Sequence, residues 1–162
     1  MAKVAKKAPT HELDKEGDVM TEDAKQALID GLNEDLAHEF QAVIHYLVGA
    51  QLMTGQARPE LKEFFTAEIQ DELNHAEFLA HKVTALGGTP TTQPVPVELG
   101  GSNREQLEIA MTAEAETIER YKRRVDQANA VGDAGLAVRL EDLIADETEH
   151  LEELQMVLRD FG

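Results

Sequence analysis

The chain of 162 residues has no cysteine. Without thiolates there can be no disulfide scaffold, iron–sulfur cluster, cysteine-ligated zinc site or rubredoxin-type module. A reducing, cytoplasmic compartment is compatible with that lack and is the expected setting. Aromatic residues are scarce, at 4%. No apolar run near the N-terminus has the form of a signal peptide, and none reaches the roughly 18 residues of a membrane span. Positive charge is also short: 15 Lys and Arg stand against 32 Asp and Glu, for a net charge of −17. Such a surface repels nucleic acid and attracts cations. It serves solubility, guidance of metal ions, or both. What remains is 42% apolar, enough for one domain with a real core.

Residues 1–20 show little periodicity and are expected to form a mobile tail. Lys3, Lys6 and Lys7 could touch DNA, but the Asp and Glu residues that follow favour a solvated tail. From residue 21 to 162 the periodic stretches are helical, and no strand-like alternation occurs. The first helix should start at Thr21 as N-cap, with Glu22 and Asp23 in its first turn, and run to Leu52 or Met53. Leu28, Ile29, Leu32, Leu36, Phe40, Val43 and Leu47 form its apolar stripe. Gly31 is a mild cost inside it. The second helix should run from Pro59 to Gly87-Gly88, with a stripe that includes Leu61, Phe65, Ile69, Leu73 and Leu79. Residues 87–101, with three prolines and four glycines, are a linker. Fully extended it reaches ~50 Å, against ~40 Å for a helix of this kind. The third helix, capped by Ser102 or Asn103, carries Leu107, Ala110, Ile118, Tyr121 and Val125 and should end near Val131-Gly132. The fourth starts at Asp133 and carries Leu136, Val138, Leu140, Leu143, Leu151 and Leu154. The expected fold is all-α: a four-helix bundle with one long crossover between its second and third helices.

One pattern occurs twice. Glu72-Leu73-Asn74-His75 and Glu147-Thr148-Glu149-His150 each set a carboxylate and an imidazole three residues apart. Residues at i and i+3 share a helix face and can hold one ion jointly. Glu39 precedes the first pair by 33 residues, and Glu114 precedes the second by the same 33. In antiparallel hairpins, Glu39 and Glu72 both lie ~25 Å from the first turn, and Glu114 and Glu147 match in the second. The six groups therefore share one level of the bundle. The third helix can run parallel to the second or antiparallel beside it without changing that level. Carboxylates on apolar stripes are costly unless paired or metal-bound, and few Lys or Arg lie nearby to pair with them. A di-metal site is the reading that accounts for both halves; a Glu-rich surface or a purely structural bundle accounts for neither offset.

This pattern resembles the ferritin-like di-iron carboxylate proteins, and the bacterioferritins most closely, over roughly residues 28–158. The residues that carry the likeness are Asn33-Glu34-Asp35-Leu36, Glu39, Tyr46, Asp71-Glu72-Leu73-Asn74-His75-Ala76, Glu114 and Asp146 to His150. The resemblance implies a ferroxidase centre. Glu72 and Glu147 would bridge two irons; Glu39 with His75 would complete one, and Glu114 with His150 the other. Tyr46 matches a family tyrosine that can serve in electron transfer, or is an ordinary core residue. Bacterioferritins bind haem through a methionine directly after the first bridging glutamate. Here that residue is Leu73, so haem held in that manner is not expected. Met53 and Met111 are expected in the core. Twelve residues follow His150, too few for the fifth helix of the 24-subunit cage. A short, bacterioferritin-like homo-oligomer, a dodecamer, is the expectation.

Hard carboxylates with two imidazoles suit Fe(II), Mn(II) or Zn(II). The reaction implied is oxidation of two Fe(II) by O2 or H2O2, serving iron storage and detoxification. The alternatives are a rubrerythrin-like peroxidase, which the lack of cysteine disfavours, a manganese catalase-like site, and a DNA-protecting mini-ferritin, which the net charge disfavours unless the tail lysines bind.

Overall fold

The computed structural model describes residues 21–161, so the expected tail at 1–20 lies outside the described residues. Four long helices make up all the regular structure there: α1 (Glu22–Leu52), α2 (Arg58–Ala85), α3 (Asn103–Ala130) and α4 (Ala134–Asp160). Their starts follow local chemistry. Thr21 Oγ1 accepts from Ala24 N at 3.2 Å, Ser102 Oγ from Glu105 N at 3.2 Å, and Asp133 Oδ1 from Leu136 N at 2.9 Å. Each satisfies an amide that the first turn leaves free. Pro59 stands in the first turn of α2, where no amide hydrogen is needed.

The ends of α2 and α3 are built alike. Gly88 N bonds Val83 O and Gly87 N bonds Thr84 O; Asp133 N bonds Ala128 O and Gly132 N bonds Asn129 O. This is the paired C-terminal hydrogen-bond motif that needs a left-handed residue, and Gly87 and Gly132 supply it with φ of 86° and 74°.

The linker after α2 runs along α1 in the direction of α1. Asn33 Nδ2 donates to Thr89 O, Val95 N to Ala37 O, and Gln41 Nε2 to Pro96 O. His45 then meets Glu98 O at 3.1 Å and Gln106 O at 3.2 Å. This strap delivers the chain to the far end of α1, where Asn103 bonds both backbone groups of Thr54. So α3 runs parallel to α2 and antiparallel to α1, which decides between the two arrangements the ligand heights allow.

Two apolar clusters form the core. One, at the α2–linker end, contains Leu28, Leu32, Leu36, Leu79, Val83, Tyr121 and Leu140. The other contains Tyr46, Met53, Leu61, Phe65, Leu107 and Leu154. Met53 is buried as expected, and Met111 packs part-buried against the same cluster. Three residues that periodicity assigns to the stripes are exposed instead: Leu47 (51%), Leu73 (43%) and Val138 (56%). Each directly follows a buried residue, namely Tyr46, Glu72 and Ala137. One residue is ~100° of helical turn, enough to carry the side chain off the core face.

Gly31 has a stronger role than a tolerated helix glycine. A Cβ there would lie 1.6 Å from Arg124 Nη1. The buried Arg124 guanidinium crosses that space to pair with buried Asp35, Nε to Oδ2 at 2.7 Å. Burial nevertheless pushes the Asp35 carboxyl above its usual range, against the pull of Arg124.

Candidate metal centre

Between the two apolar clusters lies a polar layer. Glu39 from α1, Glu72 and His75 from α2, Glu114 from α3, and Glu147 and His150 from α4 are all buried, Glu147 completely. Mid-helix positions put all six at one level, as the numbering requires. Donor atoms of Glu39, Glu72, His75 and Glu147 lie within 4.8 Å of one another, and so do those of Glu72, Glu114, Glu147 and His150. The two quartets share Glu72 and Glu147, one from each hairpin.

The histidines reach across. His75 Nδ1 is 3.0 Å from Glu147 Oε1 and 3.8 Å from both Glu72 Oε2 and Glu39 Oε2. His150 Nδ1 is 3.3 Å from Glu147 Oε2 and 3.7 Å from Glu72 Oε1. Each Nε2 faces outward to a carboxylate: Asp146 at 3.5 Å for His75, Glu68 at 3.0 Å for His150. Such outer contacts fix ring orientation.

Four donor atoms here are buried without a hydrogen-bond partner: Glu39 Oε2, Glu72 Oε1, Glu147 Oε2 and His150 Nδ1. Orphaned polar atoms are rare in protein interiors and costly. Their convergence fits two divalent cations, whose four positive charges the four carboxylates match. Crowding of buried carboxylates also shifts their protonation. Burial, together with the charges of Glu72 and Glu147, pushes Glu39 far above the usual carboxylate range, and burial does the same to Glu114. Burial alone would also raise Glu147, but the imidazole of His150 3.3 Å away and the hydrogen-bonded imidazole of His75 outweigh it and hold that carboxyl low. Burial lowers the histidines, yet the Glu147 carboxylate beside both prevails: His75 is raised to about 11 and His150 to about 9.

Tyr46 is buried and donates its hydroxyl hydrogen to Glu114 Oε1. Sequence reasoning treats Tyr121 only as a core residue, yet its hydroxyl donates to Glu39 Oε1. The signal was available. Tyr46 follows Glu39 by seven residues and Tyr121 follows Glu114 by seven. Glu39, Tyr46, Asp71, Glu72 and His75 each recur 75 positions later as Glu114, Tyr121, Asp146, Glu147 and His150. Glu68 breaks the repeat, since its counterpart is Leu143. Sequence reasoning also passed over Glu68.

A groove of about 830 Å³ between α1, the strap and α3 has Tyr46 and Glu114 in its lining, beside His38, Thr117 and Arg120. Among the described residues no helix is long and apolar enough to cross a membrane.

Residues 29–161 match the family model for the ferritin-like domain. The bacterioferritin of Mycobacterium leprae is 32% identical over 132 residues, spanning 81% of this chain and 83% of that protein. A crystal structure of ferritin-like, diiron-carboxylate proteins from Bacillus anthracis is 50% identical, with a TM-score of 0.83 over 86% of this chain and 99% of that one. A dodecameric thioferritin, the bacterioferritin-related protein of Bacteroides fragilis, superposes with a TM-score of 0.75 at 26% identity, covering 85% and 87% of the two chains.

Proposed function

The chain belongs to the ferritin-like domain family, and from that premise we propose that it oxidises Fe(II) at a two-iron centre contained within one subunit. The observation that carries this reading is the pair of buried donor quartets sharing Glu72 and Glu147. Iron is the substrate. Glu72 and Glu147 bridge the two ions; Glu39 and His75 complete one set of ligands, Glu114 and His150 the other. Two shared carboxylates keep both ions within one small volume, so two one-electron losses serve one two-electron acceptor. Two Fe(II) and two protons convert O2 to H2O2, or one H2O2 to two waters, leaving two Fe(III) in either case. Tyr46, hydrogen-bonded to Glu114, is placed to exchange an electron with the centre.

Ligand binding requires His75 and His150 to be neutral and Glu39 and Glu114 ionised, so iron must displace protons held in the metal-free state. The exposed carboxylates Asp71 and Asp146 stand at the α2–α4 surface, with Glu68 buried beneath them beside His150. The groove beside Tyr46 and Glu114 offers an approach from the α1–α3 side. Storage of the ferric product calls for an assembly, and the likeness to a dodecameric relative supports a twelve-chain cage. The test is rapid-mixing oxidation of Fe(II) by O2 and by H2O2, with mass measurement of the particle. The reading expects twelve times the 17.9 kDa of one chain and a fast ferric phase that Glu72→Ala abolishes. A fast phase that survives Glu72→Ala rejects the site.

A further inference from the structure

We propose that Tyr121 is a positioning residue for the metal centre, holding Glu39 as Tyr46 holds Glu114, so that the two metal-binding halves are matched. The inference rests on the two-metal reading and deepens it.

The geometry is reciprocal. The phenol of Tyr46, on α1, donates to the terminal glutamate of α3; the phenol of Tyr121, on α3, donates to the terminal glutamate of α1. Both rings are buried. If Tyr121 were only filling the core, phenylalanine would fill the same space without a hydroxyl that must be satisfied. What the hydroxyl adds is direction. It takes Oε1 of Glu39 and leaves Oε2 without a partner, 3.8 Å from Nδ1 of His75. One carboxylate oxygen is thus anchored and its twin is free for a cation. The anchor comes from the opposite hairpin in each case. A glutamate side chain otherwise loses several rotatable bonds' freedom on binding an ion, and the phenol removes that cost in advance.

The halves can be read separately with Co(II), a probe that suits N and O ligands and stays divalent in air. Two Co(II) per chain should bind the unmodified protein, shifting the imidazole resonances of both His75 and His150. In Tyr121→Phe, Co(II) affinity of the Glu39–His75 half should fall about 10- to 100-fold, the usual effect of losing an outer partner. The His150 resonance should keep its titration midpoint. Tyr46→Phe should give the mirror image. Should Tyr121→Phe fail to fold, Tyr121→Met, a flexible apolar side chain without the hydroxyl, carries the same prediction. Unchanged binding in both halves of a folded Tyr121 variant overturns the inference. So does equal weakening of both halves with a lower melting temperature, which marks a general packing role. If the unmodified chain binds fewer than two Co(II), the two-metal reading itself fails.

Discussion

Nδ1 of His75 lies 3.0 Å from Oε1 of Glu147, across the α2–α4 interface and 72 residues away in the chain. Glu147 also meets His150 at 3.3 Å, so one carboxylate contacts the imidazoles of both halves. Removing it should cost more than removing a terminal ligand. Glu147→Ala should weaken binding of both metal ions by more than about 100-fold, while Glu39→Ala should spare the ion held by Glu114 and His150. Metal titration calorimetry on the two variants separates these outcomes.

The metal-free protein should lose stability as the solution becomes alkaline. His150 and His75 are raised to about 9 and about 11, because the Glu147 carboxylate beside both outweighs burial. A group that binds its proton more tightly in the folded state stabilises fully below its unfolded value near 6.5 and loses that contribution as pH rises through its folded value. Glu39 and Glu114, raised by burial, act in the same direction from lower pH. The melting temperature should therefore fall steadily from pH 7 to 10 without metal. With Zn(II) bound, the ligands are already deprotonated and the slope should largely vanish.

Gly31→Ala should destabilise the bundle by about 2–4 kcal/mol, the scale of breaking a buried ion pair less the helix-propensity gain of alanine. The new methyl group would occupy the place of the Arg124 guanidinium and strand the buried Asp35. Urea unfolding of the metal-free variant measures this directly.

Losing the contacts of His45 to Glu98 in the strap and to Gln106 in α3 should loosen residues 95–101 without unfolding the helices. His45→Ala should raise amide exchange at Val97 to Gly101 about 10-fold, at a cost near that of one or two net hydrogen bonds. The reference is Asp30→Ala, an exposed α1 position outside the strap contacts.

Much of this architecture could be read from the chain. Thr21, Ser102 and Asp133 announce three helix starts, and the Gly87 and Gly132 positions two stops, because each rests on one local hydrogen bond or one backbone angle. The six donor residues were legible because equal spacings leave equal heights in a hairpin. The direction of α3 was not legible, since mid-bundle ligands meet at one height either way. It depends on Asn33, Gln41 and His45 holding a strap more than fifty residues away. Leu47, Leu73 and Val138 show the limit of periodicity: a step of one residue from a buried neighbour is invisible in a pattern of threes and fours. The Asp35–Arg124 pair needs two helices to be placed before it can be seen. Tyr121 is different, because the 75-residue repeat predicts it and only its apolar neighbours disguise it.

On the proposed function, one chain holds two irons that are oxidised as a pair. Anaerobic titration with Fe(II), followed by a single addition of O2, tests it most directly. The rapid ferric signal should grow linearly to two Fe(II) per chain and then saturate, each O2 consuming two irons in that phase. Saturation at one iron per chain, or no rapid phase at any loading, would contradict it.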